Sequence, residues 1–265
     1  MSETSEKYKT SYYLNKKDDR ATIVFIHGVG LKKEIWDQQI EFFKNYNILT
    51  YDLLGHGKTP LEKTQLDFGD YIKQLLNLID ELDLKKIHLI GFSLGSLIAR
   101  EFASLHNDRL SSLVLHGSIY KRSKDQKIVV ENRYEIIKLD GPASKKSSLR
   151  RWFSQEFIKN SQEIYGKIYS MLENNDHKSF LKSYKLFIYY EDDDDIINKI
   201  KTNTLVTTGQ FELGSTPEMA KNLSNQIKGS EYIEIKKGKH LCQIECAKDF
   251  NKTIELFINQ SYDKA

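Results

Sequence analysis

What most constrains the fold is an alternation running through the first half of the chain. Short apolar runs rich in β-branched residues are each followed by a segment with helical spacing. The runs 21–26, 46–52, 86–91 and 113–116 read as four buried strands. Between them, 34–44 carries Ile35, Trp36, Ile40 and Phe43 on one helical face, and 68–82 carries Tyr71, Ile72, Leu75, Leu78, Ile79 and Leu82. A further helix is expected from about Leu94 to Leu105. Strands joined through helices of this length need crossover connections, which build a mostly parallel sheet with helices on both faces. An exposed antiparallel edge hairpin is expected over Tyr8 to Leu14.

From about Tyr120 to Lys201 the alternation stops and the chain becomes charged and helix-prone. Amphipathic stretches fall at 131–139, 149–158, 164–172 and 180–190, with no convincing strand among them. The expected organisation is therefore a core made of 1–119 and 202–265, with a helical cap inserted at 120–201. The acidic run Glu191-Asp192-Asp193-Asp194-Asp195 is better read as a solvated helix start than as a metal cluster. Strand pattern resumes at 203–208, followed by a helix from Pro217, a strand at 231–235 and a closing helix ending near Ile258.

Lys and Arg number 40 against 37 Asp and Glu, a net charge of +3 that argues against nucleic acid or an anionic membrane surface as partner. No apolar run approaches the ~18 residues of a spanning helix, and the N-terminal segment has neither an apolar signal core nor a cleavage site. A cytoplasmic protein is expected. Cys242 and Cys246, four residues apart, do not make a disulfide framework.

The chemistry centres on Gly91-Phe92-Ser93-Leu94-Gly95, where an expected strand turns directly into an expected helix. Gly-x-Ser-x-Gly at such a junction is a nucleophile elbow, which presents a serine hydroxyl at the carboxyl edge of a sheet. Serine needs a general base, and seven histidines are available. His88, His106, His116 and His177 read as packing or surface residues, and His56 as a loop residue. His240 lies in a glycine-containing loop between the last strand and the last helix, where an imidazole returns to the carboxyl edge. A metal site from His240, Cys242 and Cys246 offers only three ligands and is the weaker reading. For the orienting acid, Glu212 follows the strand after the insertion, while the segment after His116 has no carboxylate before Asp125. A tetrahedral intermediate also needs two N–H donors, for which Leu94, just past the serine, and Val29 in His27-Gly28-Val29-Gly30 are the candidates.

These segments, with Asp52 to Gly57 and Gly209 to Pro217, fall in the order and places of the α/β-hydrolase superfamily. Within it the chain resembles the group around 3-oxoadipate enol-lactonase, whose cap is similar to Arg151-Trp152-Phe153-Ser154 followed by Phe157. Two departures stand out: Glu212 where the superfamily usually has Asp, and Leu54 where it commonly has arginine. The resemblance implies an eight-stranded, mostly parallel sheet with a helical cap. It implies a serine hydrolase that cleaves a small ester or enol-lactone through Ser93, His240 and Glu212 without a cofactor. Trp152 and Arg151 are the expected substrate contacts, with an arginine at 150 or 151 holding a substrate carboxylate. The rivals are a C–C bond hydrolase using the same triad and a non-catalytic ligand-binding member of the fold. Ser93 argues against a carboxylate-nucleophile dehalogenase or epoxide hydrolase.

Overall fold

The structure is a computed structural model that describes residues 2–139 and 142–262. Met1, residues 140–141 and residues 263–265 fall within the expected core and cap bounds but lie outside the described residues.

Eight strands form one sheet: β1 (Glu3–Thr4), β2 (Ser11–Asn15), β3 (Thr22–Ile26), β4 (Ile48–Tyr51), β5 (Ile87–Phe92), β6 (Leu110–His116), β7 (Thr204–Gly209) and β8 (Glu231–Ile235). Their spatial order is β1-β2-β4-β3-β5-β6-β7-β8, with the β1–β2 and β2–β4 pairings antiparallel and every later pairing parallel. Alternation along the strands splits two cores. Val24, Ile26, Leu89, Leu113 and Leu115 point to one face, and Ile23, Phe25, Ile90, Phe92 and Val114 to the other. Burial on both faces is why these strands read as continuous apolar runs.

The first face is covered by α2 (Phe68–Glu81), α3 (Leu94–Leu105) and α10 (Pro217–Gln226), and the second by α1 (Asp37–Phe42) and α12 (Ala247–Tyr262). A capping box starts α2: Asp67 accepts from the Asp70 N–H, and Asp70 reaches back to the Asp67 N–H. The edge departs from expectation. The hairpin runs from β1 to β2, so β2 pairs on both sides and Ser11 and Tyr12 are buried. Polar Glu3 and Thr4 gave no strand pattern. The expected helix over 34–44 is a 3-10 turn at Lys33–Trp36 followed by the short α1, and the closing helix runs to Tyr262.

Among the described residues, six helices lie between β6 and β7: α4 (Lys124–Lys138), α5 (Pro142–Trp152), α6 (Gln155–Asn160), α7 (Gln162–Glu173), α8 (His177–Ile188) and α9 (Asp194–Asn198). The stretch 149–158 is two helices rather than one, because Ser154 breaks it and caps α6 by accepting from the Phe157 N–H. The acidic run has more than one task. Asp193 caps α9. Asp192 accepts from the fully buried Arg100 of α3 at 2.7 Å and from the Lys121 N–H at 2.6 Å. Asp194 accepts from the Tyr120 hydroxyl at 2.9 Å. Both crossings between sheet and insertion are thus pinned together and to α3.

Candidate active site

The carboxyl ends of β3, β5, β7 and β8 bring four loops to one edge. At β5 the chain passes straight into α3 with Ser93 at the junction, φ 54° and ψ −114°. A left-handed φ on a residue with a Cβ costs of order 1–3 kcal/mol. The Ser93 N–H, donating to the His116 carbonyl at 3.0 Å, helps to hold it. The flanking glycines are forced by close approach: a Cβ on Gly95 would lie 2.5 Å from the Ile26 carbonyl oxygen, and one on Gly91 would meet the Gly95 carbonyl. Serine at a helix N-cap ordinarily turns its oxygen back onto the first N–H groups, yet Ser93 makes no such bond. The residue lines a cavity that is also bordered by Val29, Glu212 and His240.

Loops after β7 and β8 are stitched by backbone. The Gln210 N–H donates to the Ile235 carbonyl at 2.9 Å, and the Phe211 N–H to the Gly238 carbonyl at 2.8 Å. Gly209 permits this approach, since a Cβ there would lie 2.5 Å from the Gly238 carbonyl oxygen. The result brings His240 Nδ1 to 2.8 Å from Glu212 Oε2. Glu212 is only 6% exposed, and its other oxygen accepts from the N–H groups of Gly214 and Ser215. Burial alone would raise this carboxyl, but the neighbouring His240 and these hydrogen bonds outweigh it and hold the group at about 2. A carboxylate acceptor fixes the proton on Nδ1 and leaves Nε2 as the basic nitrogen. The ring is packed 4.8 Å from Phe92 and 5.6 Å from Trp152, centroid to centroid. Among the described residues no hydrogen bond joins the Ser93 hydroxyl to His240; such contacts commonly tighten only around substrate.

The turn after β3 lies against the elbow: a Cβ on Gly28 would be 3.2 Å from that of Ser93. His27 shapes this turn, with Nδ1 2.8 Å from the Gly28 carbonyl and Nε2 accepting from the Leu53 N–H at 3.0 Å. Burial pushes its imidazole down to about 4, so it stays neutral. Val29 borders the cavity, and the Leu94 N–H, first in α3, has no intrahelical acceptor.

The insertion completes the walls. Trp152 and Arg151 line the cavity, whereas Arg150 is exposed. The Trp152 carbonyl accepts from the Leu241 N–H at 3.2 Å, tying α5 to the His240 loop. His177, expected as a packing or surface residue, also lines the cavity. Sequence reasoning missed Arg122, Arg133 and Tyr184, which do the same. A signal existed for Arg133, which stands with Val130 and Ile137 on one face of α4 at helical spacing. Cys242 is buried with Sγ 3.6 Å from His116 Nε2. Among the described residues no cluster of three or more His, Cys, Asp or Glu side chains is placed to hold a metal, and no helix is long and apolar enough to cross a membrane.

Comparison with known proteins agrees with this architecture. A hydrolase of Acinetobacter baylyi named for (E)-2-((N-methylformamido)methylene)succinate is 27% identical over 255 residues, covering 94% of each chain. 3-Oxoadipate enol-lactonase 1 of the same organism is 25% identical, covering 96% of this chain and 95% of its own. The crystal structure of the enol-lactonase from Burkholderia xenovorans LB400 superposes with a TM-score of 0.86 at 23% identity, covering 94% of this chain and 96% of that one. The family model for the alpha/beta hydrolase fold matches residues 21–247, from the first core strand to beyond His240. The chain belongs to the α/β-hydrolase family of enzymes.

Proposed function

We propose that this hydrolase cleaves a small carboxylic ester or enol-lactone through an acyl-enzyme on Ser93, with residues 120–201 acting as a cap over the core of 1–119 and 202–265. The observation that carries the reading is the 2.8 Å contact of Glu212 with His240 Nδ1 beside a strained elbow serine whose oxygen is not spent on capping. Neutral His240 takes the Ser93 proton at Nε2 as the hydroxyl oxygen attacks the substrate carbonyl. Glu212, already ionised, stabilises the imidazolium that forms. The N–H groups of Val29 and Leu94 receive the oxyanion, each such donor being worth roughly 3–4 kcal/mol of barrier. Collapse expels the alcohol or enol with the proton from His240, and water, activated by the same ring, releases the acid.

Support for the substrate class comes from the curated relatives, which are named for an enol-lactone and a substituted succinate. Initial rates on a panel of a short acyl ester, an enol-lactone and a vinylogous dicarbonyl, with Ser93→Ala as blank, test it. The expected order is turnover of ester and lactone above dicarbonyl, all abolished in Ser93→Ala. Turnover of the dicarbonyl alone would move the reading to C–C bond hydrolysis, and no Ser93-dependent turnover would support a binding role.

A further inference from the structure

The cavity above Ser93 is walled by basic side chains from three separate segments. Arg122 precedes α4, Arg133 sits in α4, and Arg151 ends α5. Among the described residues no carboxylate forms an ion pair with any of the three. Two carboxylates among the described residues line the cavity with them: Glu212, which is committed to His240, Gly214 and Ser215, and Glu173 of α7.

The three cations are not equivalent. Arg122 is buried and fixed: its Nη1 donates to the carbonyls of Phe187 and Ile188 at 3.0 Å each, and its guanidinium lies 4.6 Å from the Phe187 ring centre. Arg133 and Arg151 line the cavity with the Tyr184 phenol, which burial raises and the charges of Arg133, Arg151 and Arg122 oppose. Burial and then the like charge of Arg133 pull the Arg151 guanidinium below its ordinary value. Both guanidiniums are half-buried in a cavity where Arg122, Arg133, Lys145 and Arg151 outnumber the carboxylates, and like charges held partly away from water cost the folded protein free energy. An anionic ligand recovers that cost on binding, and a planar guanidinium suits a carboxylate, which it holds with two parallel hydrogen bonds. One carboxylate would leave the second guanidinium uncompensated.

We infer that the substrate carries two carboxylates, held by Arg133 and Arg151 while its reacting carbonyl meets Ser93. The inference rests on the reading of this cavity as the hydrolytic site, and it turns a generic small-ester pocket into a selective one. Apolar walls at Val29, Val130, Ile137 and Leu172 leave room for a short carbon chain between the charged ends. Arg150, exposed on the same helix, has no part in the grip.

Titration calorimetry on the full-length Ser93→Ala protein tests binding apart from chemistry, with succinate, butyrate and dimethyl succinate as probes. Succinate is expected to bind at least tenfold tighter than butyrate, and dimethyl succinate to give no saturable heat. Arg133→Gln and Arg151→Gln should each weaken succinate tenfold or more, Arg133→Lys should keep more binding than Arg133→Gln, and Arg150→Gln should change nothing. Melting temperature separates grip from scaffold: losing one of two half-buried cations should leave it unchanged or raise it. Equal binding of the three probes, or a fall in melting temperature with succinate affinity intact, would overturn the proposal. Labelling of wild-type Ser93 by a fluorophosphonate keeps the two readings apart. Labelling without succinate preference removes the anion grip alone, and succinate preference without labelling removes the hydrolytic reading.

Discussion

The sheet edge and the helical insertion meet at one cavity but are held by different forces. At the edge, backbone passes backbone so closely that Gly91, Gly95 and Gly209 have no room for a methyl group. In the insertion, Gly166 of α7 has nothing within 4 Å of where its Cβ would stand, and α4 buries only Val130. Geometry at the edge is therefore set by stereochemistry that few sequences satisfy, whereas the insertion is set by side-chain contacts that many sequences supply. On the proposed reading, the difference assigns the reaction to the tightly packed edge and the choice of substrate to the helices above it.

The sharpest way to break this division is at the acid. Glu212→Gln should lower kcat by roughly 10³–10⁴-fold while the protein stays folded, because an amide cannot stabilise the imidazolium and favours the wrong tautomer. Glu212→Asp should fall between the two, and steady-state kinetics with circular dichroism checks both. Near-wild-type turnover of Glu212→Gln would mean another group orients His240.

A pair of glycine substitutions probes the two regions directly. Gly95→Ala places a methyl against the Ile26 carbonyl and should destabilise the protein by about 3 kcal/mol or more, or prevent folding. Gly166→Ala sits in open space within a helix and should stabilise it by roughly 0.5–1 kcal/mol. Urea melts of the two variants measure the contrast, and equal effects would erase it.

Acid should soften the sheet region first. His27, His88 and His116 are pushed by burial down to about 4, and His56 to about 3, all on or beside the strands. An unfolded histidine takes its proton near pH 6.5, so the unfolded state binds more protons as pH falls from there toward 4. Stability then drops by up to about 1.4 kcal/mol per pH unit for each such histidine. Glu212 does not add to this window. Its carboxyl is held at about 2, so its contribution is complete above the unfolded value of 4.5 and is lost only as pH falls toward 2. Melting temperature should decline between pH 6.5 and 4.5, with hydrogen exchange rising in β3, β5 and β6. A flat melting curve would contradict the buried neutral state of these rings.

How much of this was legible in the sequence follows the same division. Strand and helix order could be read because β3, β5, β6 and β7 are buried on both faces and α2 and α3 carry clean apolar stripes. Ser93, Glu212 and His240 can be named as candidates because a strained elbow and two loops after strands leave a chain-order signature, and the three line one cavity. The β1–β2 edge was misplaced because Glu3 and Thr4 carry no strand pattern. Arg122 and Arg133 are not singled out because a charged side chain normally faces water, and Tyr184 because one more aromatic on an amphipathic stretch carries no signal of its own. Only the packing of α4 against α8 turns them inward. Buried Arg100, paired with Asp192 across 92 positions, was hidden for a similar reason: its partner lies in an acidic run that reads as solvated.

Mass spectrometry of the intact protein after exposure to a fluorophosphonate tests the central claim most directly, since it reads the nucleophile without assuming a substrate. The account predicts a single adduct mapped to Ser93, absent in Ser93→Ala and strongly slowed in His240→Ala, with both variants folded. An adduct of equal yield on folded Ser93→Ala, or none on the folded wild type, would contradict it.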